Sequence, residues 1–317
     1  MRELRVVPVA RLSERSTEKR WLIRSVLPHS CVSVIGGQAK SFKTFFVLDL
    51  AASVASGTPC LGRYPVDQRG RSLVYLAEDS LTDVRTRVED LCLHRGLALE
   101  DLDLQVLAEP TLRLDQDGDR AGLWSAVERL RPLVLVLDPL VRLHTSLDEN
   151  NSRDVAGLLG FLRELQRAFD VSVLLVHHTA KGHHHRPGQA LRGSGDLHAW
   201  LDMGAYLTWS RDRLRLTLEH RASPAPEPME LELVSRDDGR GTHLEVASDR
   251  GTLSPGKSES LPQRVLEQIR SSQSPLQRGE LRERLRVNNH SLGEALAELE
   301  RDGLVQRTRA GWLLGGR

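Results

Sequence analysis

The sequence predicts an α/β fold in which a mostly parallel β-sheet is flanked by helices and carries antiparallel strands at its edge, with a small C-terminal domain beyond it. Continuous apolar runs of strand length alternate with helix-type segments, which is typical of parallel strands buried on both faces. Alternating apolar positions between Leu214 and Leu233 indicate antiparallel edge strands. Residues 249–260 form a polar linker. We therefore expect one domain over 1–248 and another over 261–317.

Length, charge and cysteine content limit the class of protein. The chain has 317 residues and a net charge of +1, which suits one large and one small domain. No apolar stretch reaches the roughly 18–20 residues of a membrane span, and the segment from Met1 to Arg5 lacks the apolar core of a signal peptide. Cys31, Cys60 and Cys92 form no CxxC pair. These features predict a reduced, cytoplasmic protein without a membrane partner.

The strongest local signal is a glycine-containing loop between a strand and a helix. An apolar strand from Cys31 is followed by this loop, and helix-forming residues begin at Phe45. In phosphate-binding loops of this kind, backbone N–H groups and the helix N terminus bind phosphate oxygens. We expect Lys43 to reach the β- and γ-phosphates of ATP and the Thr44 hydroxyl to hold Mg²⁺. The predicted nucleotide-binding residues are Gly37, Gln38, Ala39, Lys40, Ser41, Phe42, Lys43 and Thr44.

One residue of this loop departs from the common pattern G-x-x-x-x-G-K-[ST]. Counted from Gly37, the second glycine is replaced by Phe42. A Phe fits if its backbone is already helical and its ring turns away from the nucleotide. The alternative is an ordinary glycine-containing turn before a helix. Only five of the 44 Lys and Arg residues are Lys, and Lys40 and Lys43 lie here, which suggests a need for compact positive charge.

Polar side chains follow other predicted strands at the point where each strand ends. Glu78 follows a strand over residues 72–77, Asp138 closes a continuous apolar run, and His178 follows a strand over residues 171–176. The carboxyl ends of parallel strands meet at one edge, where open α/β sheets bind ligands. We expect Asp138 to hold Mg²⁺, Glu78 to orient and deprotonate the attacking water, and His178 to hydrogen-bond the γ-phosphate.

Neighbouring residues leave alternatives to these roles. Asp79 competes with Glu78 as the base, and His177 competes with His178. The five His residues between positions 177 and 185 suggest zinc, but their spacing fits no standard site and no Cys joins them. Mg²⁺ remains the expected metal.

Taken together and in order, several segments resemble RecA-fold ATPases, and the resemblance is closest to the RepA-type hexameric replicative helicases of plasmids, which are related to DnaB. It covers roughly residues 20–247. The resemblance implies a hexameric ATPase ring with the nucleotide between subunits, Arg side chains reaching in from the neighbour, and DNA as a partner. Arg192 and Arg87 are the positions that this implies for those arginines. The segments that carry the resemblance are the loop with Lys40 ahead of Lys43, Leu76–Asp79, Val136–Leu140, Val176–Lys181 and Leu191–Gly195.

The segment beyond the linker is predicted to be a winged helix-turn-helix domain. Short helices are expected over residues 262–270, 278–285 and 292–302, followed by a two-stranded hairpin. From Pro262 onward there are ten Arg against seven acidic residues. This weak basic excess leaves both duplex DNA binding and protein contact open.

Three functions are compatible with these features. The first is a ring ATPase that moves on single-stranded DNA, with loops 142–153 and 179–190 tracking phosphates, although the first loop contains several acidic residues. The second is a DNA-bound regulator whose ATPase core switches oligomeric state. The third is a nucleotide-binding scaffold with little hydrolysis, which Phe42 permits.

Overall fold

The chain forms two compact units, Met1–Ser248 and Asp249–Arg317. Among the described residues, no helix combines the length and the apolar character needed to cross a membrane. The computed structural model describes residues 6–11, 20–145, 152–178, 195–210, 213–236, 238–247, 261–272, 274–285, 289–308 and 311–315.

The larger unit is built from strands and helices that alternate along most of its length. Its strands are β1 (Trp21–Ile23), β2 (Leu27–Pro28), β3 (Val32–Gly37), β4 (Ser72–Leu76), β5 (Leu104–Val106), β6 (Val134–Asp138), β7 (Ser172–His178), β8 (Met203–Ser210), β9 (Arg213–His220), β10 (Met229–Val234) and β11 (His243–Val246). Its helices are α1 (Lys43–Ser56), α2 (Leu81–Arg95), α3 (Asp117–Leu130), α4 (Ser152–Phe169) and α5 (Gly195–Trp200).

Within the described residues, nine strands form one sheet in the order β11-β10-β9-β8-β3-β7-β6-β4-β5. The strands from β8 to β5 in this order pair in parallel, whereas β9, β10 and β11 pair antiparallel at one side. The predicted mostly parallel sheet with antiparallel edge strands is therefore confirmed. Strand β11, which the sequence pattern did not reveal, completes that edge.

Helices cover both faces of the parallel part of the sheet. Alternate residues of β7 join different apolar clusters, because successive side chains of a strand point to opposite faces. Leu174 belongs to the cluster that contains Phe46 of α1 and Val88 of α2. Leu175 belongs to the cluster that contains Leu162 of α4 and Leu123 of α3. Burial on both faces explains why these strands are continuous apolar runs.

Local capping signals set the ends of α2. The backbone N–H of Asp83 donates to Ser80 Oγ at 3.1 Å, and Gly96 ends the helix in a left-handed conformation with φ 65°. The sequence predicts a helix that is capped by Ser80 and ends before Gly96, and the structure confirms both ends. The amphipathic pattern of the sequence predicts a helix over residues 121–130, but α3 begins at Asp117, one turn earlier. Acidic residues in its first turn stabilise that start through the helix dipole.

The smaller unit contains, in its described part, α6 (Leu261–Ser271), α7 (Arg278–Leu285), α8 (Asn289–Arg301) and a hairpin of β12 (Val305–Thr308) and β13 (Gly311–Leu314). Val265, Leu281, Leu296 and Trp312 belong to its apolar core. This element order is the one expected of a winged helix-turn-helix, and that assignment stays a prediction.

Candidate functional site

The loop between β3 and α1 forms a tight turn with close internal contacts. A Cβ atom on Gly37 would lie 2.4 Å from Ser41 Oγ and 2.7 Å from the Leu207 carbonyl oxygen, so only glycine fits at this position. Ser41 Oγ in turn donates to the Gln38 carbonyl at 2.8 Å. The loop therefore forms a narrow backbone turn directly before the N terminus of α1.

Phe42 has a left-handed backbone, with φ 58° and ψ 28°. The expectation that its backbone would be helical is wrong, because the residue adopts the conformation that a glycine would reach without a Cβ penalty. Its ring packs edge-on against the rings of Phe45 and Trp209, each at 5.8 Å between centroids. These contacts offset the cost of the left-handed conformation, which is about 1–2 kcal/mol.

Lys43 is the first residue of α1 and is only 6% exposed. Its ammonium donates to the carbonyl oxygens of Gly37 at 3.0 Å and Gln38 at 2.7 Å. Burial lowers the pKa of Lys43, an effect that the nearby carboxylates of Asp138 and Glu78 oppose. A buried ammonium at the positive end of a helix makes this loop a favourable place for an anion.

Thr44 and Asp138 meet although they lie 94 positions apart in the sequence. The Thr44 hydroxyl donates to Asp138 Oδ2 at 2.7 Å. Asp138 is the last residue of β6 and is 7% exposed. Val136, two residues earlier in the strand, belongs to the same apolar cluster as α1. Asp138 therefore lies on the face of the sheet that α1 covers. A hydroxyl and a carboxylate are hard oxygen donors, so this pair fits Mg²⁺.

Burial raises the pKa of Asp138 to about 6. The carboxylates of Asp79 and Glu78 contribute to this rise in pKa, whereas the Thr44 hydrogen bond and the Lys43 ammonium oppose it. Such a carboxyl group is costly to ionise without a cation. A divalent cation bound at Asp138 would remove that cost.

Each of the two candidate bases forms an ion pair with an arginine. Arg142 Nε donates to Glu78 Oε1 at 2.9 Å, and Arg87 Nη1 donates to Asp79 Oδ2 at 2.6 Å. The Asp79 side chain is 20% exposed and that of Glu78 is 47% exposed. Asp79 is therefore the more enclosed carboxylate, and Glu78 is the more accessible one.

Sequence reasoning placed Arg142 only at the start of the loop 142–153 and gave it no part in ATP hydrolysis. The signal that could have found it is its place in the short 3₁₀ turn Leu140–Arg142, immediately beyond β6. Arg87 also lies over the Phe45 ring, at 5.2 Å from its centroid. The structure thus places Arg87 beside the phosphate loop of its own chain.

His178 lies in register with Gly37 on the neighbouring strand β3. It is half-buried and follows Leu174 and Val176 on the α1 face of the sheet. His177 is 1% exposed and alternates to the opposite face. The geometry therefore favours His178 over His177 as the residue next to the phosphate loop.

Some predicted features lie outside the described residues. These are Arg192, the loop 179–190 and residues 146–151 of the loop 142–153. In the part of the chain that the structure describes, no three His, Cys, Asp or Glu side chains are grouped so that they could hold a metal ion. His183, His184 and His185, on which the zinc alternative depends, are likewise outside that part.

Several solved structures are similar to this chain. A DnaB-like replicative helicase, solved for its interactions with primase, is 14% identical with a TM-score of 0.51, and the match covers 68% of this chain and 57% of that chain. A KaiC-like protein from Pyrococcus horikoshii is 14% identical with a TM-score of 0.48, covering 72% and 94% of the two chains. The RadB recombinase is 15% identical with a TM-score of 0.49, covering 68% and 90%.

A family profile described as "AAA domain" (AAA_25) matches residues 1–184. This match spans more than half of the chain and includes the phosphate loop, Glu78 and Asp138. The family match identifies the family of this chain, and the sheet order and the DnaB-like structure agree on its fold. The chain belongs to the AAA domain family and is a RecA-fold P-loop ATPase.

Proposed function

We propose that this chain binds ATP with Mg²⁺ at the carboxyl edge of the sheet and hydrolyses it there. The observation that carries the proposal is the 2.7 Å contact between Thr44 Oγ1 and Asp138 Oδ2. These two oxygens lie beside the buried ammonium of Lys43, whose pKa Asp138 influences directly. Phosphate-binding groups and a hard-oxygen cation site thus converge on one helix N terminus.

The phosphate loop and Lys43 bind the triphosphate. When ATP is bound, the Lys43 ammonium exchanges the carbonyl oxygens of Gly37 and Gln38 for β- and γ-phosphate oxygens. Thr44 and Asp138 would hold Mg²⁺, which as a Lewis acid polarises the phosphate oxygens. This arrangement orients the γ-phosphate for attack by water.

Glu78 takes the proton of the attacking water as the bond from water to the γ-phosphorus forms and the bond to ADP breaks. Its half-exposed carboxylate is accessible to water. Asp79 is less suited to this role because its carboxylate is more enclosed and paired with Arg87. His178, next to Gly37 in the sheet, donates a hydrogen bond to the γ-phosphate.

We further propose that the protein is a ring-shaped homo-oligomer that acts on DNA in a helicase or replication reaction. The fold shared with a DnaB-like replicative helicase motivates this proposal. In such a ring Arg192 is the better candidate for an arginine from the neighbouring subunit. Arg87 would first have to break its 2.6 Å ion pair with Asp79.

A nucleotide-binding scaffold with little hydrolysis has less support. Phe42 was the residue that permitted it, yet the left-handed conformation of Phe42 lets the loop adopt the turn that a glycine would make. A DNA-bound regulator would use the same ATPase site as a motor. Hydrolysis would change its oligomeric state instead of moving it along DNA. Its support is the helical C-terminal unit, for which winged-helix binding of duplex DNA remains a proposal.

The test is the steady-state ATPase rate of the full chain without DNA, with single-stranded DNA and with duplex DNA. A motor on single strands predicts stimulation by single-stranded DNA together with strand displacement. A regulator predicts duplex binding without strand displacement. Lys43→Ala is the matched control and should abolish ATP hydrolysis. Turnover that survives in this variant would remove the assignment of the loop.

A further inference from the structure

Glu78 and Arg142 are brought together by adjacent strands. Glu78 lies just beyond the end of β4, and Arg142 lies in the turn just beyond β6, its neighbour in the sheet. Arg142 Nε donates to Glu78 Oε1 at 2.9 Å. The second carboxylate oxygen, Oε2, makes no hydrogen bond to any part of the chain that the structure describes. The pair therefore holds one oxygen of Glu78, whose side chain is 47% exposed, and within the described residues the other oxygen lies outside the ion pair.

The backbone that carries Arg142 is anchored. The Arg142 N–H donates to the Pro139 carbonyl at 3.0 Å, and the Arg142 carbonyl accepts a hydrogen bond from the Arg113 guanidinium. Leu140 and Leu143, on either side of Arg142, are buried in the apolar cluster that contains α3 and α4. A guanidinium on such a fixed turn can define the position of a neighbouring carboxylate.

Stability does not explain why this pair is present. Its side chains are 56% and 47% exposed, and pairs this exposed contribute about 0–1 kcal/mol to folding. A general base, by contrast, needs a defined orientation, and active sites commonly supply a further group that orients the base. A monodentate contact through Nε restricts the rotation of the carboxylate, and it involves Oε1 and not Oε2.

We infer that Arg142 is a positioning residue that holds the Glu78 carboxylate with Oε2 directed at the attacking water. This inference rests on the proposed function, because it assumes that Glu78 deprotonates that water. Arg142 does not touch the reacting atoms in this assignment. It acts through Glu78 alone.

The experiment is a double-mutant cycle on the full chain, read by ATP hydrolysis in steady state and in single turnover. Arg142→Ala should lower kcat about tenfold and leave KM for ATP within about twofold, because orientation and not binding is lost. Arg142→Lys should restore part of the rate. In a Glu78→Gln background, Arg142→Ala should cause no further loss, since the group through which Arg142 acts is already absent.

Arg85→Ala is the matched control. Arg85 forms an exposed ion pair with Glu89 at 2.7 Å on α2, so its removal should change neither the melting temperature nor kcat. Arg142→Ala should likewise keep the melting temperature of the wild type.

The outcomes separate the inference from the function on which it rests. If Glu78→Gln hydrolyses ATP as fast as the wild type, the role of Glu78 fails and the inference fails with it. If Glu78→Gln is slow but Arg142→Ala is as fast as the wild type, only the inference is overturned. An equal loss from Arg142→Ala in both backgrounds, or a large rise in KM, also overturns it, because Arg142 would then act on the phosphates or on the fold.

Discussion

Replacing Asp138 by Asn should stabilise the protein in the absence of Mg²⁺ and nucleotide. Asp138 is 7% exposed and its pKa is raised from 3.8 to about 6. A raised carboxyl pKa means that the fold holds the proton more tightly than the unfolded chain does. Stability is therefore lost as the pH rises through the interval from 3.8 to about 6, and it stays lost above that interval. Asn resembles the protonated carboxyl group and avoids this loss.

The magnitude follows from the size of the pKa change. At about 1.4 kcal/mol per pKa unit, the rise corresponds to about 3 kcal/mol at pH 8 and to about 1 kcal/mol at pH 4.5. For a unit of this size, about 3 kcal/mol corresponds to a gain of about 6–12 °C in melting temperature. The Thr44 hydroxyl can still donate to the amide oxygen of Asn, so the local geometry is retained.

Thermal unfolding of the wild type and Asp138→Asn at pH 8 and pH 4.5, in buffer with a chelator, measures this difference. Asp101→Asn is the control, because Asp101 is exposed on a short turn and should shift stability by less than about 0.5 kcal/mol. Mg²⁺ with ADP should stabilise the wild type, and Asp138→Asn should lose the Mg²⁺-dependent part of that gain. A variant no more stable than the wild type at pH 8, or one with an equal gain at both pH values, would refute the reasoning.

Substitutions at three further positions test the loop and the core beneath it. Phe42→Gly should bind ATP with a Kd within about threefold of the wild type, whereas Phe42→Val should bind at least about tenfold more weakly in calorimetric titration, because a β-branched residue is disfavoured at φ 58°. Equal affinities would contradict the role given to the backbone conformation. Gly37→Ala should lose ATP binding in the same titration, because its Cβ would lie 2.7 Å from a backbone carbonyl oxygen; normal affinity would show that the loop can widen. Asp49→Ala should lower the free energy of unfolding by about 3–5 kcal/mol in a denaturant titration, because it removes the carboxylate that compensates the charge of Arg95. The Arg95 side chain is only 5% exposed, and its Nη2 lies 2.7 Å from Asp49 Oδ2. The exposed Arg85→Ala serves as the control, and a loss no larger than that of the control would contradict the buried pair.

Local patterns were sufficient for the parallel strands of the sheet and for their ends to within two residues. The run that ends in Asp138 and the run that precedes Glu78 are apolar throughout, because both faces of the parallel strands are covered by helices. A polar residue directly after such a run must lie at the carboxyl ends of the parallel strands. The start of α3 was misplaced because its first turn, from Asp117, is polar and carries no apolar periodicity.

The conformation of Phe42 could not be predicted, because the rings that fix it come from different parts of the chain. Phe45 is a near neighbour, but Trp209 belongs to β8, which pairs with β3. The sequence pattern showed only that glycine is missing. The left-handed backbone follows from the packing of these rings and from the narrow turn of the loop.

The sequence alone determined which residues end the strands of a parallel sheet, and therefore which side chains are candidates for binding phosphate and Mg²⁺, because burial pattern and strand length are local properties of the chain. Only the tertiary structure decided the strand order, which inserts β7 between β3 and β6 and places His178 beside Gly37. It also decided the contacts of Thr44 with Asp138 and of Arg142 with Glu78. Their partners are far apart in the sequence, and only the packing of the sheet brings them within hydrogen-bonding distance.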